Sequence, residues 1–375
     1  LDYTATLYRI GMGEWDSENY HGHSLAPLLN LYDFAKDDQV KLAAKACLDF
    51  MFAIGAVKYY HGGFNGPTKR DYNHAQPFGG SAPAMLWVGF GDAPRGNEHW
   101  ESDEVHMITS AYRPPEAVVH LAHKNMKKPV TIFASKPHYS ATTSLERDSS
   151  PAYLETQHVG NSSLMGSLAG GTRPGKDDVN GFKILIDDRK AGAVAIQGVP
   201  GSDPRYVGSP QYQEGKVAGE NRVAQQDNLA IWLVEDGNAP WTWVVSDQIE
   251  ISRNQNVTFL RGEQTWIAMH PLGVDSLSVN EKLTTEMTTG KKPKFVGHRV
   301  LSARGEADSY CGFAILVGEK QSYGSFEKFQ QSALSAEIDQ SELNKGIVKY
   351  RSDRDQWLGI HWNDNPQDLG VWRNG

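Results

Sequence analysis

The spacing of apolar positions along the chain changes once, near residue 129. Before it, Leu25, Leu28, Leu29 and Tyr32 recur at helical spacing, and after the polar break Lys36-Asp37-Asp38 a second run places Val40, Ala43, Ala44, Cys47, Phe50, Met51, Ile54 and Val57 on one face. The pattern predicts a helical hairpin over 24–60 with Ser24 as its N-cap. Ser81-Ala82-Pro83 starts a shorter helix through Trp87, and Pro114-Pro115 starts another through Met126. The stretch from Gly62 to Gly80 is rich in Gly, Pro and Asn and reads as a long loop.

From Pro129 the period becomes two. Val130 to Ala134, Lys183 to Ile186, Ala193 to Ile196, Leu229 to Val234 and Trp241 to Val245 read as strands, as do Val257 to Leu260, Trp266 to Met269, Phe313 to Val317 and Trp357 to Trp362. Many short strands with Gly, Asp and Asn turns and almost no helix, Ser325 to Ser335 being the exception, predict a large antiparallel sandwich. The expected organisation is a helical region over 1–128 and a β domain over 129–375. Trp232, Trp241, Trp243, Trp266, Trp357 and Trp362 fall on these strands and read as core.

Composition narrows the function. A chain of 375 residues can bury a sizeable core, and its formal charge of −8, without any Lys/Arg-rich run, argues against a nucleic-acid partner. An acidic polysaccharide could bind through a local patch. No window is long and apolar enough to insert in a membrane. Leu1-Asp2-Tyr3 reads like the inside of a domain, so a truncated or processed start is expected. The two cysteines, Cys47 and Cys311, are far apart, and Cys47 on an apolar helical face reads as a buried thiol.

Chemistry gathers in two short segments. The first is Glu14-Trp15-Asp16-Ser17-Glu18-Asn19-Tyr20-His21-Gly22-His23 and the second Lys69-Arg70-Asp71-Tyr72-Asn73-His74. Asn19, His21 and His23, set just before the expected helix start, offer donors where backbone N–H groups and the dipole also favour a carboxylate. Arg70 carries a planar fork for an acid group, and a neighbouring cation makes a Tyr72 phenolate a credible base. Trp15, Tyr20, Asn73 and His74 complete the clusters as substrate contacts. Tyr112 and Arg113, at the mouth of the Pro114 helix, form a third candidate wall. His158, on a strand from Tyr153, could face the helical region. His21-Gly22-His23 with His61 or His74 is too sparse a pattern to predict a metal. Asp16, Glu18 and Asp71 leave a carboxylate pair for glycoside hydrolysis open. No nucleophile elbow, P-loop or dinucleotide fingerprint is present.

Asn and His beside a helix start, Arg and Tyr about fifty residues on, and then a long β region together resemble the toroid-plus-sandwich polysaccharide lyases, such as alginate, heparinase and hyaluronate lyase-like enzymes. Segments Leu164-Met165-Gly166-Ser167-Leu168 and Thr265-Trp266-Ile267-Ala268-Met269-His270 are also similar to their sandwich. The resemblance implies an α+β, multidomain chain, with an incomplete α/α toroid over 1–128 before the sandwich and the substrate lying at their junction. It implies cleavage of a uronic-acid-containing polysaccharide by β-elimination, outside the cytoplasm in a secreted or periplasmic setting. Asn19 with His21 or His23 would neutralise the carboxylate, Arg70 would help bind it, and Tyr72 would be base and acid. No cofactor is required. The runner-up readings are a glycoside hydrolase with an α/α barrel and a non-catalytic carbohydrate-binding protein.

Overall fold

In a computed structural model of the chain, the residues described are 5, 7, 11–12, 14–69, 80–94, 103–136, 153–169, 179–188, 192–199, 221–235, 241–289, 296–306, 308–362 and 370–373. The chain is α+β, with helices followed by large antiparallel sheets. A helical hairpin is formed by Tyr20–Phe34 and Asp38–Lys58, and Asp37 caps the second helix by accepting from the Gln39 N–H at 2.8 Å. The first helix begins at Tyr20, four residues before the expected cap Ser24, and it carries Pro27 internally. The second buries Ala44, Cys47, Leu48, Met51, Phe52, Gly55 and Ala56. Its inward stripe is therefore turned from the expected one, bringing in Leu48 and Phe52 and leaving Phe50, Ile54 and Val57 partly exposed. Ser81–Phe90, Glu104–Thr109 and Glu116–Ala122 pack around this pair over a core including Met85, Leu86, Phe90 and Met107.

The strand-rich part is deeper than a two-sheet sandwich. An eight-stranded sheet runs from the edge strand Val130–Lys136 through Tyr153–Val159, Ser163–Leu168, Phe182–Asp188, Gly192–Val199, Trp241–Ser246 and His298–Ala303 to Ser278–Val279. Behind it lies a six-stranded sheet whose central strands are Leu229–Val234, Cys311–Glu319 and Thr265–Leu272. Between the two, Ile184, Ile196, Trp241 and Trp243 meet Trp232, Leu260, Phe313 and Ile315. The Trp232 ring stands edge-on to Trp241 at 5.0 Å and to Trp243 at 5.6 Å.

A third sheet of four strands, among them Ile347–Arg351 and Trp357–His361, covers the far face of the six-stranded sheet together with the helix Phe326–Leu334. Both large sheets are thus buried on both faces, which explains strands such as Leu229–Val234 that are apolar at every position rather than alternately. Helix is also less rare here than the pattern predicted: besides Phe326–Leu334, Glu281–Thr288 is helical, with Asn280 capping the Leu283 N–H at 3.1 Å. No helix of the described residues is long and apolar enough to cross a membrane. Cys47 and Cys311 are buried free thiols in separate cores.

Candidate functional site

The segment Trp15 to His23 lies where the helices meet the eight-stranded sheet, and charges dominate that meeting. Asp16 is 2% exposed and receives the ammonium groups of Lys58 at 2.9 Å and Lys136 at 2.6 Å. Glu155 approaches the same two lysines at 3.3 and 3.4 Å. Lys58 ends the second helix, where a cation is favoured, whereas Lys136 ends the edge strand. Burial alone would raise the Asp16 carboxyl, but Lys136 and Lys58 outweigh it and hold it well below the usual carboxylate range. The Trp15 ring is the hub, with the ammonium nitrogens of Lys58, Lys69 and Lys136 within 5.7, 5.9 and 5.9 Å of its centre.

Other pairs tie the same two layers. Lys183 of the sheet meets Glu18 and donates to the Phe64 carbonyl at 2.9 Å. Asn65 Nδ2 donates to Gln157 Oε1 at 2.9 Å. His61 is set between Asp92, 2.9 Å from Nδ1, and Asp187 of the sheet, 3.3 Å from Nε2.

Three helix starts converge nearby. Ser17 Oγ accepts from the Asn19 and Tyr20 N–H groups at 3.3 and 3.1 Å, so the first helix is capped from within the turn before it. Asn19 occupies the N-cap position, half-buried, and its carboxamide caps nothing. His23, in the first turn, is hydrogen-bonded through Nδ1 to Asp103, which precedes the helix Glu104–Thr109 and also accepts from Ser81 Oγ at 2.6 Å. Gly22 makes this convergence possible, because any Cβ there would collide with Ser81. Gly80, at φ +86°, is pressed against the Glu18 carbonyl, and the Ala82 N–H donates to that carbonyl at 2.8 Å.

The remaining expected site residues separate into three groups. Arg70, Tyr72, Asn73 and His74 lie outside the described residues, as does Asp71. Trp15 and His21 are buried at the junction. His21 donates from Nε2 to the Met51 carbonyl at 3.2 Å, its ring faces Phe64, and burial pushes it down to about 4. His21 is therefore a neutral packed ring rather than a group open to a polymer. Tyr20 is half-buried with its ring edge-on to His23 at 5.8 Å.

The third group lies elsewhere. Tyr112 is 1% exposed in the helical core, donating to Asp49 at 3.0 Å with its ring on Phe52, so it cannot form the expected wall. Arg113 donates to the Ser110 and Tyr112 carbonyls at 2.7 and 2.5 Å, closing the end of a helix. His158 does not face the helices: alternation along its strand turns Glu155 and Gln157 toward them and His158 to the opposite side, next to Thr131 at 3.0 Å. Among the described residues no group of three or more His, Cys, Asp or Glu is placed to hold a metal ion.

The sequence reading missed Lys58, Lys136, Glu155 and Asp103. The first three did leave a signal: Lys58 continues the buried helical stripe of Met51 and Gly55, Glu155 shares the strand face of buried Val159, and Lys136 that of the partly buried Val130 and Ile132. Asp103 left none.

No known sequence family matches the chain, and no curated protein matches it. Among solved structures it is similar to a chain described as a heparinase III gene product, with a TM-score of 0.48 and 9% identity over 96% of this chain. The chain spans 61% of the length of that structure.

Proposed function

We propose that this chain is a polysaccharide lyase that cleaves a uronic-acid-containing polysaccharide by β-elimination at the junction of its helices and eight-stranded sheet. The observation that carries the proposal is the position of Lys69 and Gly80 beside the segment Trp15 to His23. Lys69 lies by the Trp15 ring, and Gly80 lies against Glu18 and the start of the first helix. Arg70 and Tyr72 follow Lys69 directly in the sequence, which supports a shared role with Asn19 and His23.

In this mechanism the Asn19 carboxamide and the Arg70 guanidinium bind the uronate carboxylate and stabilise the charge that grows on it as C5 loses its proton. Tyr72 takes that proton. The C5–H electron pair becomes the C4=C5 double bond, the C4–O bond breaks, and the proton passes to the leaving oxygen, so no electrons are exchanged with a cofactor. His23, oriented by Asp103, is the second candidate for proton transfer. An incomplete toroid built on the helical hairpin, and a secreted or periplasmic setting where such polymers occur, belong to the same proposal.

A hydrolase would require one carboxyl to stay protonated near neutral pH. Asp16, held ionised by two lysines, does not suit that role, and Glu18 is buried against Lys183.

The test is incubation with alginate, glucuronan, ulvan and glycosaminoglycans. Ultraviolet absorbance from an unsaturated uronate end is expected with one of them. Asn19→Ala should lower turnover by about 10²–10³ with an unchanged unfolding midpoint. Tyr72→Phe should abolish turnover while preserving the fold. Reducing ends without the ultraviolet signal would instead establish hydrolysis, and binding without either product would leave a non-catalytic protein.

A further inference from the structure

The eight-stranded sheet carries a second polar site on the face turned away from the helices. A cavity of about 390 Å³ opens beside the edge strand Val130–Lys136, bounded by the turn at Asp227, the end of the strand Cys311–Glu319, and the segment Arg354 to Gln356. This is within the range of sites for small ligands.

Its polar groups are fixed before any ligand arrives. Thr131 Oγ1 donates to Asp227 Oδ1 at 2.6 Å, and having only one proton it must accept from His158 Nδ1 at 3.0 Å. The relay therefore sets the His158 tautomer, with the proton on Nδ1 and the lone pair on Nε2. Burial lowers the His158 pKa, which keeps that lone pair available at neutral pH. Glu319 is held by the Asn161 and Ser162 N–H groups, both at 2.9 Å, by Asn161 Nδ2 at 3.1 Å and by Ser163 Oγ at 2.7 Å, so it is a fixed part of the floor. On the opposite side the Arg354 guanidinium lies 3.8 Å from the centre of the Tyr323 ring and donates to the Ser322 carbonyl at 3.0 Å.

We propose that this cavity binds a neutral, hydroxyl-bearing sugar unit. A sugar hydroxyl both gives and takes a hydrogen bond. The walls answer with acceptors at Asp227 and His158 Nε2 and donors at Arg354, whose guanidinium is held in place on the Tyr323 ring. Two carboxylates against one guanidinium disfavour an anionic ring, which separates this site from the ammonium-rich junction on the other face of the sheet. The proposal is independent of the reaction assigned to that junction.

The test is saturation-transfer NMR on the full chain with millimolar cellobiose, mannobiose and lactose, and with glucuronate and glucosamine as charged controls. Transfer to at least one neutral disaccharide is expected, with little to glucuronate. Asp227 is half exposed, so Asp227→Asn should fold normally and weaken binding at least about tenfold, the loss of a hydrogen bond to a charged group. His158→Phe should do the same, whereas Asn19→Ala should leave binding intact. The proposal is overturned if folded wild-type protein shows no transfer to any neutral sugar. It is also overturned if both cavity variants bind normally, if Asn19→Ala abolishes binding, or if glucosamine alone binds, which would mark a cation site.

Discussion

The eight-stranded sheet meets its two neighbours in opposite ways. Toward the six-stranded sheet it presents tryptophan, isoleucine and valine, and the contact is filled by volume. Toward the helices it presents a small apolar patch of Val159, Leu164 and Leu185 against Tyr60, flanked by Lys136, Glu155, Gln157, Lys183 and Asp187, each matched to a particular partner. The apolar contact supplies stability without strict pairing, because many side chains of suitable size fill a gap about equally well. The polar one adds little net stability, since desolvation offsets the attraction, but a single broken pair is severe. Buried charge at the helix junction therefore fixes how the two layers seat.

That contrast can be broken by paired substitutions. The largest effect expected is from Trp232→Ala, which opens the centre of the sheet-to-sheet contact and should cost about 3–5 kcal/mol in urea unfolding. A loss below about 1 kcal/mol would mean that the apolar layer is not the main source of stability. Next, Lys136→Met leaves one lysine between Asp16 and Glu155 and should cost about 3 kcal/mol. Adding Glu155→Gln should restore most of it. If the double variant is no better than the single one, the cost is lost packing rather than unmatched charge.

Acid should weaken both sides of the molecule through buried histidines. His21 at the helix junction and His270 beneath the third sheet are each lowered by burial to about 4. The unfolded chain takes up a proton near the ordinary histidine value while the folded chain refuses it until about pH 4, so stability falls as pH drops across that interval. At pH 5 each should contribute a loss of about 2 kcal/mol. His270→Leu should flatten the acid limb of the stability profile, and an unchanged limb would place the acid sensitivity elsewhere. At the small end, Lys45→Ala removes an ion pair with Asp49 on the helix surface and should shift stability by only about 0.3 kcal/mol in thermal unfolding.

Much of the fold was legible because it depends on local periodicity. The helix Asp38–Lys58 follows from the spacing of its apolar positions, and the strand Leu229–Val234 from an unbroken apolar run. What was not legible depends on distant partners. Ser24 has the right chemistry for a cap, yet Ser17 does the capping because the turn before it folds back. The third sheet was read as more of the same sandwich, since nothing in Val348 or Ile360 tells which face they will cover. At the candidate site, composition pointed to the segment from Trp15 to His23. Lys58, Lys136 and Glu155, its buried partners, come from positions far apart in the chain. His158 shows the sharpest limit: one step along a strand exchanged the helical side of the sheet for the cavity.

The third sheet has a consequence for how the chain comes off the ribosome. Val348, Tyr350, Leu358, Ile360 and Trp362 seal Leu229, Ile231, Phe259 and Ala314 of the six-stranded sheet. These covering residues follow every strand of the six-stranded sheet in the chain, so the sheet beneath can pair its strands well before its outer face has anything to rest on. During that interval a nascent chain carries a broad apolar surface, of the kind that chaperones bind and that drives association between unfinished copies. Stopping the chain shortly before Ile347 would make that passing state permanent and should lower the yield of dispersed protein.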